Sequence, residues 1–123
     1  MFETRRSATF RTVLGPIVLA AAAVVVAAAV VLAAAGRLHR NQYAGIRIPA
    51  LYASEDAWKR GHRAAAPLTT GSAGICVVLV LVALVDPPFL LIGTILETVA
   101  LVVGVLGGAL LASRAARRPA GQA

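Results

Sequence analysis

Three long apolar stretches, divided by polar segments, organise this 123-residue chain. No charged side chain stands between Arg11 and Arg37 or between Arg63 and Asp86, and between Asp86 and Arg114 there is only Glu97. A helix of about 20 residues crosses a hydrocarbon core of roughly 30 Å. The pattern therefore predicts transmembrane helices over 13–35, 68–86 and 89–112, with a tail at 1–12, a polar loop at 36–67 and a basic tail at 113–123. The run "CVVLVLVALV" is β-branched and would suit a strand in water. No set of strands is present to close a barrel, so in lipid, where backbone groups need internal partners, it reads as helix. The fold class is an all-α integral membrane protein.

The ends of the spans carry their own signals. Thr12 is a candidate N-cap for the first, with Gly15 and Pro16 in the opening turn, where backbone N–H groups lack helical partners. Gly36 suits a left-handed C-cap, with Arg37 beside the negative helix end. "DPP" at 86–88 closes the second span and makes a tight hairpin with the third. Within the polar loop, Ser54 can cap a helix whose first turn holds Glu55 and Asp56. Pro67 would end it, which predicts a short amphipathic helix over 55–66. Trp58, Gly61, His62 and Ala65 share one side of that helix, and Trp58 is expected at headgroup level on the membrane surface.

Composition agrees with a membrane setting: 59% of residues are hydrophobic and 14% are charged. The first apolar run exceeds the 7–15 residues or so of a secretory signal core. The net charge of +7 lies at the ends of apolar spans, where it meets anionic lipid headgroups, so no nucleic-acid partner is implied. Nine Lys and Arg lie on the side of the loop and C-terminus, against three on the other side. By the positive-inside rule the loop and C-terminus are cytoplasmic, and the N-terminus is outside despite Arg5, Arg6 and Arg11.

Two spans carry features beyond hydrophobicity. Thr69, Thr70, Gly71, Ser72 and Gly74 crowd the start of the second, which implies close approach of a neighbouring helix. In the third, Glu97 falls about 14 Å of helix rise beyond Pro88, near the middle of the bilayer. A carboxylate is costly at that depth, so Glu97 must face protein or water or be neutral, with a hydrogen bond to a carbonyl or hydroxyl of a neighbour. Thr94 lies one turn before it, and Ala100, Gly104 and Gly108 follow at the spacing of a close-packing stripe. No cation occurs in any span to pair with it.

Little in the chain suggests catalysis. His39, His62 and Cys76 have no metal-ligand spacing, no nucleophile has an adjacent base, and "GVLGGALLA" lies in an apolar helix where glycine means packing. The lone Cys76 forms no disulfide within one chain. No cofactor, no metal and no enzymatic activity are expected.

The polar loop "RNQYAGIRIPALYASEDAWKRGHRAA" carries rarer residues at set spacing: Asn41, Gly45, Ile46, Arg47, Pro49, Ser54, Glu55, Trp58 and His62. In this it resembles the SdpI family of small multi-span membrane proteins. The family usually has Thr where Ile48 stands and a Trp-Thr-Leu run near Leu51 and Tyr52. The resemblance implies a non-enzymatic protein of the toxin-immunity or signalling-receptor type, able in some members to hold a transcriptional regulator at the membrane. From the residues, Gly45 permits a bend, Pro49 favours an extended Ile48, and Arg47 is presented between them. Arg47 would bind a lipid phosphate or pair with Glu55 or Asp56. Expected partners are membrane lipids, including anionic headgroups, and a protein partner or homo-oligomer within the membrane. Two other functions fit: an accessory subunit of a transport or cell-envelope complex, and an oligomeric proton or ion conductor using Glu97.

Overall fold

The computed structural model describes residues 2–119. Three α-helices, α1 (Phe2–Ala34), α2 (Glu55–Val85) and α3 (Leu90–Ala116), account for most of it, and all three are long and apolar enough to cross a membrane. Short 3₁₀ turns at Pro49–Ala53 and Pro87–Phe89 complete the described elements. Of the basic tail, residues 120–123 lie outside the described residues. The middle helix, α2, packs against both others, whereas α1 and α3 meet only sparsely.

α1 starts earlier than the sequence predicts. Thr12 is not its N-cap: the Thr12 hydroxyl donates to the carbonyls of Ala8 and Thr9, both at 2.9 Å. Ser7 and Thr9 make similar bonds one turn back, to Thr4 and Arg5. These hydroxyls stay within the helix, and Pro16 is carried in its interior. At the other end Gly36 adopts a φ of +77°. Its N–H reaches the Ala33 carbonyl at 3.1 Å and the Arg37 N–H reaches Leu32 at 2.9 Å. That pair of bonds is a Schellman cap, which satisfies carbonyls left over at the helix end.

The short amphipathic helix predicted over 55–66 is not formed as a separate element. α2 begins at Glu55, with the Ser54 hydroxyl accepting from the Ala57 N–H at 3.0 Å, and runs unbroken through Pro67 to Val85. One buried stripe, including Trp58, His62, Ala65, Thr69, Ser72 and Cys76, continues across the proline. Pro67 itself sits on the exposed face. One missing backbone bond costs less than a helix end, which leaves up to four N–H or C=O groups unpaired at the edge of the hydrocarbon.

The interface of α2 and α3 is made close by absent side chains. A Cβ added at Gly104 would overlap Ser72, and one at Gly108 would come within 2.9 Å of the Thr69 methyl. Ser72 also donates to the Ala100 carbonyl at 2.5 Å. Ala100, Gly104 and Gly108 therefore lie along α2. Gly71 and Gly74 have nothing near them, so Thr69 and Ser72 supply the contact at that depth.

Candidate functional site

The loop from Arg37 to Ser54 folds back over the first turns of α2, and each motif residue has a definable task in holding it there. Asn41 builds the turn: its carboxamide oxygen accepts from the N–H groups of Tyr43 (2.9 Å) and Ala44 (2.8 Å), and its amide donates to the His39 carbonyl at 2.7 Å. Such side-chain bonds to nearby backbone are the usual means by which Asn fixes a bend. Gly45 follows with a φ of +96°, a region that side chains disfavour. A Cβ there would lie 2.9 Å from His62 Nε2 and 3.1 Å from the Trp58 ring. The backbone at Gly45 thus lies directly on the Trp58 and His62 rings.

His62 locks the loop to the helix. Its Nδ1 lies 2.7 Å from the Trp58 carbonyl, and the Ile46 N–H donates to Nε2 at 2.9 Å. A carbonyl only accepts and an N–H only donates, so the ring is the neutral form with its hydrogen on Nδ1. It is fully buried, with its centroid 4.2 Å from that of Trp58. Beyond Ile46, Ile48 is extended (φ −111°, ψ 148°), as expected before a proline, and Pro49 opens the 3₁₀ turn. That turn places Leu51 on Gly61, where an added Cβ would be 2.8 Å from the leucine.

The Trp58 side chain is turned into the protein and is not displayed on its outer face. The side chain is fully buried, its indole N–H donates to the Leu38 carbonyl at 2.8 Å, and Tyr52 packs on it with ring centroids 5.7 Å apart. The polar tip that would seek headgroup water finds its partner inside the protein. The ion pairs expected for Arg47 with Glu55 or Asp56 are also absent among the described residues. Glu55 is taken by Arg40, whose backbone N–H and Nε both lie 3.3 Å from Oε1, with His39 3.6 Å from Oε2. Arg47 is exposed and donates from Nη1 to the Gln42 carbonyl at 2.7 Å.

Several structural roles escape the sequence pattern. Tyr52 donates to the Asn41 carbonyl at 2.5 Å, and its own carbonyl accepts from Arg40 at 2.6 Å. Arg63 donates to the Ala34 carbonyl at 3.1 Å, and Arg60 reaches the carbonyls of Ala116 (3.4 Å) and Arg118 (3.3 Å). Basic residues in the second and third turns of α2 therefore cap the C-terminal ends of both neighbouring helices, which carry partial negative charge. A signal was present: antiparallel neighbours place the start of α2 beside both those ends.

Glu97 lies apart from the loop, deep in the bundle. It is 1% exposed, and its Oε1 is buried without a hydrogen-bond partner. Among the described residues, the bond expected from its side chain to a neighbouring carbonyl or hydroxyl is not formed. Ser72 donates to Ala100 instead, Thr94 donates to the Leu90 carbonyl at 2.7 Å, and the Cys76 thiol lies 3.7 Å from Glu97's own carbonyl. Among the described residues, no three of His, Cys, Asp and Glu gather as a metal site.

The profile of the SdpI/YfhL protein family matches residues 37–113, which take in the loop, α2 and nearly all of α3. With three spanning helices and this match, the chain is a multi-pass membrane protein and belongs to the SdpI/YfhL family. No curated protein and no solved structure matches it.

Proposed function

We propose that the protein is a non-enzymatic receptor of the immunity or signalling type, which engages its partner through a folded cytoplasmic loop. The observation that carries this reading is where the motif residues point. Asn41, Gly45, Trp58 and His62 hold one loop conformation from within, while the exposed Pro49 and Ser54 set the backbone where the 3₁₀ turn and α2 begin. Among the side chains this leaves displayed are those of Gln42, Tyr43 and Arg47, with Tyr43 81% exposed. A loop ordered in advance loses less entropy on binding, and exposed Tyr and Arg are the residues that most often anchor a partner. The internal network builds a surface.

The test uses cells in which the protein protects against a secreted peptide toxin or retains a tagged regulator at the membrane. Replacing Gln42 and Tyr43 by Ala is expected to abolish that phenotype at unchanged abundance. Leu106→Ala, on a side chain 65% exposed on α3, is expected to leave it intact. Equal loss from both would remove the loop from the function. A stable complex with a transport or envelope protein, whose activity falls when this chain is deleted, would favour the accessory-subunit reading instead.

The unpartnered Oε1 of Glu97 favours one further reading, an oligomeric proton or ion conductor. Glu97→Gln separates the two, since the amide keeps hydrogen-bonding capacity and loses the titratable proton. The receptor reading expects this variant to assemble and function normally. Loss of function with assembly intact would transfer the assignment to Glu97.

A further inference from the structure

Because α1 and α3 barely touch, a cleft of about 480 Å³ opens between them beneath the loop. Val25 and Ala29 of α1 face Val105 and Ala109 of α3 across it, Thr69 of α2 closes the back, and Tyr43 to Ile48 form the roof. The Thr69 hydroxyl already donates to the carbonyls of Ala65 and Ala66, so no free hydroxyl hydrogen points into the cleft. Its interior is suited to hydrocarbon, while its roof includes Arg47.

We infer that this cleft binds one anionic phospholipid, with an acyl chain between α1 and α3 and the phosphate on Arg47. Charge and depth both support the assignment. Arg47 has no acidic partner among the described residues, and its single hydrogen bond, from Nη1 to Gln42, leaves Nε and Nη2 for phosphate oxygens. Guanidinium groups bind phosphate in this two-point manner. Val25 stands nine residues before the end of α1 at Ala34, or about 13 Å of helix rise below the loop. A lipid whose phosphate sits at the loop therefore extends its chain along the cleft walls.

The full chain is reconstituted in vesicles of equal phosphatidylglycerol and phosphatidylcholine, and native mass spectrometry reads the lipid retained on release. The wild-type chain is expected to keep one phosphatidylglycerol in preference to phosphatidylcholine. Arg47→Gln should lower that preference about tenfold, the loss of one charge-assisted contact. Arg37→Gln, also exposed and basic but outside the cleft, should leave it unchanged. Ala29→Phe should displace both lipids; if that chain does not fold, Val105→Trp on the opposite wall serves the same purpose. Equal effects of Arg37→Gln and Arg47→Gln would reduce the binding to diffuse surface charge and overturn the site. So would lipid retention undisturbed by filling the cleft. In a Cys76→Ala background, efficient disulfide formation between two copies of an Ala29→Cys chain would show a second copy in the cleft, with the same consequence.

Discussion

At Gly45 the backbone φ of +96° and the contacts with His62 and Trp58 impose separate penalties on any side chain. A left-handed conformation costs an L-residue roughly 1–2 kcal/mol, and overpacking costs about as much again. Gly45→Ala is therefore expected to destabilise the fold by roughly 2–4 kcal/mol, read as a lower midpoint in detergent-induced unfolding. An unchanged midpoint would mean that the loop is free of α2. His62→Phe addresses the same junction by another route. It keeps a ring of similar breadth but leaves the Ile46 N–H without the acceptor that now stands at 2.9 Å. A buried donor without a partner costs about 1–3 kcal/mol. Nitrogen-15 spectra of the wild-type ring should show hydrogen on Nδ1 alone; hydrogen on Nε2 would contradict the bond to Ile46.

Among the elements, α2 is the one on which the others depend. Its single buried stripe meets the loop at Trp58 and His62, and lower down it meets α1 and α3. Glycines on the two facing helices differ sharply in what surrounds them. Gly104 faces Ser72 with no room for a methyl group, whereas Gly74 has nothing within 4 Å. Gly104→Ala should therefore cost about 1–3 kcal/mol by forcing α3 away from α2, and Gly74→Ala should cost little. The comparison is internal, because both changes add one methyl group to an apolar helix. Equal tolerance at the two positions, measured by unfolding in the same detergent, would show that the α2–α3 contact is looser than described.

For the whole molecule, the expected arrangement places the loop and the α3 end in the cytoplasm, since nine of twelve Lys and Arg lie on that side. Single cysteines at Tyr43 and Ser113, in a Cys76→Ala chain, are expected to react with an impermeant thiol reagent only after cells are opened. Labelling of either in intact cells would invert the topology. The three helices are not equivalent in this arrangement. α2 is clamped to both neighbours, through Arg63 to the end of α1 and through Arg60 to the end of α3. Among the described residues α1 and α3 share no such link, and the cleft opens on that side.

Composition and spacing by themselves determined that the chain crosses the membrane three times, because the transfer of apolar side chains into lipid depends on what they are and hardly on their neighbours. They also marked the ends at Gly36 and Ser54, since a cap is closed by atoms only a few residues away. The family resemblance was likewise legible, carried by Asn41, Gly45, Arg47, Trp58 and His62 at their spacing. Other features depended on distant partners. Trp58 read equally well as an interfacial anchor until Leu38 supplied its acceptor, twenty residues back in the chain. Arg40 and Arg47 both had charge and reach for Glu55, and only the path of the loop gave the acid to Arg40. Pro67 looked like a helix end because backbone rules are local, yet one buried stripe continues across it, against the loop before the proline and against α1 and α3 after it. Where several residues carry the same chemistry, the sequence limits the choice of partner, and packing makes it.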